Sequence, residues 1–238
     1  MKIYFLLFFT AFSIITCAQK PKSDKPDHET LMFIRGIGIS FQEFDELNSR
    51  VANRPEYKTL RDHAATLELG FMNVSKNIVF DAELIGGSSM SGDRDKKSSA
   101  IRFLATGIDI GYDVIPNKTI LLYPMAGIGT QAYRARFYKD NAAVPFDLVL
   151  ASSNTQNAIR PVDFKNAFFT YRFGIGFAIR PPKNNDAAIG IQFRYTGSFK
   201  EKSWKSSDNQ ELANAPKDRL SQFQVSLILG DMPMKKKN

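Results

Sequence analysis

The chain has 238 residues, 43% of them hydrophobic and 24% charged, with a formal net charge of +8. That length allows one large domain or two small ones. Cys17 is the only cysteine, which excludes an internal disulfide framework and a cysteine-built metal site. A basic balance alone admits nucleic acid as a partner, so the placement of the charges along the chain decides the matter.

Met1-Lys2 precede an almost unbroken apolar run from Ile3 to Ile15, followed by Thr16-Cys17-Ala18-Gln19. A short basic start, about 7–15 apolar residues and small residues at the exit predict a secretory signal peptide, here over residues 1–18. The run is shorter than the ~20 residues a membrane-spanning helix takes. Thr16-x-Ala18 fits ordinary cleavage before Gln19, which would leave the mature chain without cysteine. Ile14-Ile15-Thr16-Cys17 weakly resembles a lipoprotein box, which would leave Cys17 lipidated. Residues 19–30 hold two prolines and balanced charge, the composition of a disordered linker. No later stretch approaches 18 consecutive apolar residues, so no membrane helix is expected. A chain of this kind enters a membrane only as a closed barrel, which pairs every backbone polar group.

From Leu31 onward, eight segments alternate apolar and polar with a period of two, as strands with two unlike faces do. They are expected at Met32–Phe41, His63–Val74, Asn77–Ser88, Ala100–Ile115, Thr119–Tyr133, Ala167–Arg180, Ala187–Phe199 and Leu220–Gly230. The sixth is the clearest. Phe169, Tyr171, Phe173, Ile175, Phe177 and Ile179 share one face, and Thr170, Arg172, Gly174, Gly176, Ala178 and Arg180 the other. The connections alternate too. Residues 42–62, 89–99, 134–166 and 200–219 are long and polar, whereas Ser75-Lys76, Pro116-Asn117-Lys118 and 181–186 are short. Short periplasmic turns with longer external loops are the pattern of a membrane barrel. The expected fold class is therefore all-β, an eight-stranded antiparallel up-and-down transmembrane β-barrel over residues 31–230, in the cell outer membrane. A basic C-terminal tail follows over 231–238. The competing reading is a soluble barrel with the faces inverted and the apolar side lining a ligand cavity. Loop asymmetry and six glycines on the polar face (Gly107, Gly111, Gly174, Gly176, Gly190 and Gly230) favour the membrane form, because glycine suits a crowded lumen.

The segments "FFTYRFGIGFAIRPP" and "AAIGIQFRYTGSF" and the "CAQ" exit resemble the small eight-stranded outer-membrane barrels of the OmpA/OmpX type. More narrowly, they resemble outer-membrane β-barrel proteins common in Bacteroidota. The likeness runs from about Leu31 to Gly230 and carries architecture only, with no catalytic signature to transfer. It implies contact with outer-membrane lipid and assembly by the barrel-insertion machinery. Many such barrels end on an aromatic residue, whereas this chain continues through Asp231–Asn238.

With the polar face inward, Glu68, Asp81, Glu83, Asp109 and Asp113 of strands two to four oppose Arg172 and Arg194 of strands six and seven. Glu68, Glu83, Asp109, Arg172 and Arg194 lie at similar depth from the short turns. Isolated buried charges are costly, so these five are expected to pair. The expectation is a salt-bridged lumen of structural purpose, in a barrel just wide enough for side chains to fill. A narrow channel for ions or small solutes, gated by the same pairs, is the alternative.

Catalysis, cofactors and metals find little support. The only histidines are His28, in the linker, and His63, at the start of strand two, where a rim-localised lipid-modifying enzyme would place one. Asp93-x-Asp95 is a turn rather than a calcium loop, and the Gly-x-Gly pairs lack a strand-to-helix setting. The external loops carry the remaining possibilities, with loops one and three as contact elements for a surface ligand. Phe41, Phe44, Leu47 and Val51 of loop one predict a short capping helix. Phe146, Leu148, Val149 and Leu150 of loop three are expected to fold over the mouth rather than stay exposed. Trp204 of loop four is expected as an interfacial anchor. The loops carry −1, +1, 0 and 0 over 42–62, 91–99, 138–165 and 200–218, so they form no basic patch for nucleic acid.

Overall fold

The computed structural model describes residues 30–93, 96–115, 119–179 and 187–231. The expected signal peptide, Cys17, most of the linker and tail, His28 and the turns at 116–118 and 181–186 lie outside them. Eight long strands are present: β1 (Thr30–Gln42), β2 (His63–Ser75), β3 (Ile78–Asp93), β4 (Lys96–Tyr112), β5 (Ile120–Phe137), β6 (Val162–Ile179), β7 (Ala187–Ser198) and β11 (Ser221–Asp231). Loop four adds three two-residue strands, β8 (Lys202–Ser203), β9 (Lys205–Ser206) and β10 (Lys217–Asp218). Each long strand pairs antiparallel with its chain neighbour, and β1 pairs with β11, from Phe33↔Asp231 to Gln42↔Gln222. The circle is closed by β5–β6 and β6–β7. No free sheet edge remains among the long strands.

The period-two pattern settles which face is which. Phe169, Phe173, Ile175 and Phe177 of β6 are exposed, whereas Thr170, Arg172 and Ala178 are buried. The same parity leaves Leu67, Leu69 and Phe71 of β2 and Ile108 and Ile110 of β4 outside. A soluble barrel would bury these side chains. Here they form the outer wall, and the inverted, ligand-binding arrangement is excluded.

At one end the strands meet in short turns. Lys76 and Asn77 link β2 to β3 with φ of 47° and 72°, the doubly left-handed geometry of a two-residue turn that follows the sheet's twist. At the other end the strands run further than hydrophobic alternation predicts. β3 and β4 stay paired to Asp93↔Lys96, past a register shift at Ser91/Gly92, so the long second loop expected at 89–99 is strand except at its tip. β5 and β6 likewise pair to Phe137↔Val162, where Asp163 accepts from Nε of Arg136 at 2.7 Å and of Arg134 at 3.1 Å. Above the membrane the outer face no longer needs to be apolar: in Tyr133-Arg134-Ala135-Arg136-Phe137 the apolar residues point inward and the arginines outward, the reverse of the lipid-facing pattern.

Helix α1 (Asp45–Ala52) lies over the mouth with Phe44, Leu47 and Val51 buried. Phe41 does not join it; it belongs to β1 and points outward, 48% exposed. Loop three forms two short helices, α2 (Phe146–Ala151) and α3 (Ser153–Ile159). Contrary to expectation, they do not close over the mouth: Phe146, Leu148 and Leu150 are 74%, 52% and 68% exposed. Trp204 departs furthest from its sequence reading. It is fully buried rather than at an interface, packed edge-on against Phe44 with ring centroids 5.4 Å apart.

Trp204 Nε1 donates to Asp218 Oδ2 at 2.6 Å. The same carboxylate accepts from the backbone N–H of Glu46 and of Leu47 at 2.9 and 3.3 Å. The first N–H groups of a helix have no partner within it, and α1 has no side-chain cap of its own at Phe44. Asp218 of loop four supplies that cap from across the mouth. Burial raises the Asp218 carboxyl above its ordinary range, against the lowering effect of the Trp204 and backbone donors. Asp218→Ala is expected to cost about 1–3 kcal/mol, the penalty of leaving buried donors unpaired. Because Trp204 is the only tryptophan, its emission should shift to longer wavelength in that variant, with the barrel's folded gel mobility retained.

Candidate functional site

The inner wall has three tiers. Nearest the short turns, Met32, Ile34, Met72, Val79, Leu121, Tyr123 and Met125 form an apolar cluster with Ala178 and Ile228. Nearest the loops, Ile85, Phe103, Ala105, Tyr133 and Phe168 join Phe44, Leu47 and Trp204 in a second apolar cluster. Between them lies a belt of buried polar and charged groups. The expectation of a polar lumen thus describes only its middle.

The belt brings together all five residues singled out from the sequence, each on a strand position of inward parity. Arg172 of β6 is in contact with Glu83 of β3 and has its Nη2 3.0 Å from Asp109 Oδ2 of β4. Arg194 of β7 places Nη2 2.7 Å from Glu83 Oε2, and its Nη1 is 3.8 Å from Glu68 Oε2 of β2. All five side chains are at most 4% exposed. Close approach to the wall makes this possible: the Arg172 guanidinium occupies the space a Cβ on Gly107 would take, so any side chain there would displace it from its present position.

Asp81 is a sixth member that pairing by depth did not select. Its Oδ2 is 4.0 Å from Arg194 and accepts from Gln192 Nε2 at 3.3 Å. Gln192 also donates to the Tyr123 hydroxyl at 2.8 Å, and Gln224 donates to Glu68 at 3.3 Å. A second polar row lies towards the loops, where Gln131 donates to Gln222 at 2.8 Å and Gln222 to Gln42 at 3.2 Å. The signal for these was available, since each shares the inward parity of its strand. Asp113 goes elsewhere: its Oδ1 accepts from the backbone of Ile115 and Leu122 at 3.2 and 3.4 Å and fixes the turn end.

Asp81, Glu83 and Asp109 each offer an oxygen within 4.8 Å of the others, a grouping that no sequence spacing displays. These are the residues that could hold a cation. Arg194 already serves as one, with Nη2 2.7, 3.7 and 4.0 Å from Glu83, Asp109 and Asp81. Chemically, the belt is an ion cluster of two arginines among four carboxylates, with no histidine in it among the described residues. His63 stands apart on the outer face of β2, half exposed, its Nδ1 2.9 Å from Asp62 Oδ1.

An apolar outer wall on a closed barrel with long loops at one end points to a lipid environment, and the family match agrees, covering residues 8–228. The chain belongs to the outer membrane protein beta-barrel domain family. No curated protein matches the sequence. Solved structures match its fold at low identity. Ail of Yersinia pestis is 11% identical with a TM-score of 0.50, over 87% of this chain and 99% of that one. Neisserial surface protein A is 9% identical with a TM-score of 0.50, over 87% and 100%. OprG of Pseudomonas aeruginosa is 13% identical with a TM-score of 0.47, over 88% and 99%. At such identities the first two likenesses bear on the fold alone. As a member of this outer-membrane family the barrel spans the bilayer with its short turns on the periplasmic side and its loops outside.

Removing one partner of a buried pair leaves the other charge uncompensated. Arg172→Leu is therefore expected to destabilise the barrel by about 3–5 kcal/mol in a urea titration in lipid. Adding Glu83→Gln to it should recover part of the loss.

Proposed function

We propose that this outer-membrane barrel is non-enzymatic, has a structural or surface-interaction role, and has a lumen closed by its salt-bridge network. One observation carries the reading: Arg172 and Arg194 lie among four carboxylates, between two apolar tiers. An ion pathway needs continuous polar space, and both ends of the charged belt are covered by side chains that do not solvate ions. The hollow bordering Arg172 on the loop side measures about 10 Å³, the space of roughly one water. With transport through the barrel opposed in this way, the external loops are the place for function. Loop three presents Phe146, Leu148 and Leu150 to solvent, a display that costs solubility unless a surface covers it. Loop one contributes less than its sequence implies, because its apolar residues are committed to the mouth. Insertion by the barrel-insertion machinery belongs to the same reading.

In planar bilayers the wild-type protein is expected to show near-zero conductance, and Glu83→Ala and Arg172→Ala to remain near zero. Conductance that rises in either variant would convert the plug into a gate and favour the narrow-channel alternative. The enzyme alternative rests on His63. His63→Ala should leave the lipid composition of the outer membrane unchanged; an altered acyl pattern would reverse the non-enzymatic assignment.

A further inference from the structure

The loop end holds a second feature, independent of the lumen. A cavity of about 240 Å³ lies between α1, the outer ends of β5 and β6, and loop four. Leu47, Val51, Phe137, Phe164, Trp204 and Leu212 supply its walls. It is larger than the ~150 Å³ apolar cavity that stays dry and holds a benzene in an engineered protein. Its polar groups are as few as a ligand site requires. Arg50, in the last turn of α1, and Arg54, just beyond that helix, border the same cavity. Neither guanidinium has a carboxylate partner among the described residues. Arg134 and Arg136, at this same end of the barrel, already hold one carboxylate between two guanidinium groups, that of Asp163. Two unpaired cations beside an apolar hollow are complementary to a molecule with one anionic head and one apolar body, since a guanidinium holds a carboxylate through paired N–H donors.

We propose that this cavity binds a small apolar carboxylate, of the class of a medium-chain fatty acid or an aryl acid. The head sits at Arg50 and Arg54 and the body enters between α1 and Trp204. The site does not depend on whether the lumen conducts, because none of its lining residues belongs to the ion cluster. It also explains why α1 is held from loop four by Asp218: the helix forms one wall and needs a fixed position.

The test uses the full-length mature protein folded in lipid nanodiscs, with octanoate as the probe and octanol as its uncharged counterpart. Trp204 is the only tryptophan and stands in the cavity wall, so its emission reports occupancy. Octanoate should change that emission saturably. Binding should weaken about tenfold or more in the Arg50→Ala/Arg54→Ala double variant, as expected for loss of charge-assisted hydrogen bonds. Both arginines are exposed, so the double variant should keep the folded gel mobility. Leu212→Phe, which fills the cavity from its exposed rim, should remove the response. A change that is linear in octanoate, or equal for octanol and octanoate, would mean partition into the lipid and overturn the proposal. So would a response that the arginine variant leaves intact.

Discussion

A strand inside hydrocarbon meets no water, so every N–H and C=O it carries must be paired with another strand. The pairing of β1 with β11 meets that demand by removing the last edge of the sheet. The rest of the molecule follows from it. A closed ring of eight strands has a bore that side chains can just fill, so inward residues must fit one another while outward residues need only be apolar. The outer wall can thus be built from interchangeable Phe, Ile and Leu, whereas the inner wall leaves room through Gly107 where Arg172 passes and through Gly174 and Gly176 where Met125 and Tyr123 lie.

The ionic belt is the second consequence of that bore. Charges placed in it cannot reach bulk water, and each arginine is consequently surrounded by more than one carboxylate. Arg194 faces Glu68, Asp81, Glu83 and Asp109 at 2.7–4.0 Å. Ion clusters of this type are poor sources of net stability but severe when broken. They therefore select the register of the strands: a one-residue slip of β6 or β7 would carry an arginine to the lipid face.

Most of the barrel was legible because alternation is a two-valued pattern and the membrane makes it strict. The parity of β6 and β7 placed Arg172 and Arg194 inside without any knowledge of contacts. What could not be read has a common cause, which is the loss of that strictness above the bilayer. The outer ends of β5 and β6 carry arginine, aspartate and lysine where the membrane face would be apolar, and those of β3 and β4 are rich in serine and glycine, so all four read as loop. Trp204 reads as an anchor because a lone tryptophan between lysines has the composition of an interface, and nothing local reveals that Phe44 and Asp218 bury it. The apolar residues of α2 fail for the opposite reason: their sequence demands cover, and none of the described residues provides it. The three-tier lumen was missed because counting charges found the belt and passed over Met72, Phe103 and Tyr133, which share its parity.

The strands are also unequal in length. β5 and β6 have 18 residues each, whereas β7 has 12 and β11 has 11. At about 3.3 Å of rise per residue, the six-residue difference from β7 is roughly 20 Å along the strand. One side of the barrel therefore stands as a parapet above the other, with loop three at its crest and α1 on the low ground behind it. A large body arriving from outside meets the crest of Phe146, Leu148 and Leu150 first. Only a small molecule, descending past that rampart, reaches the sheltered floor around α1.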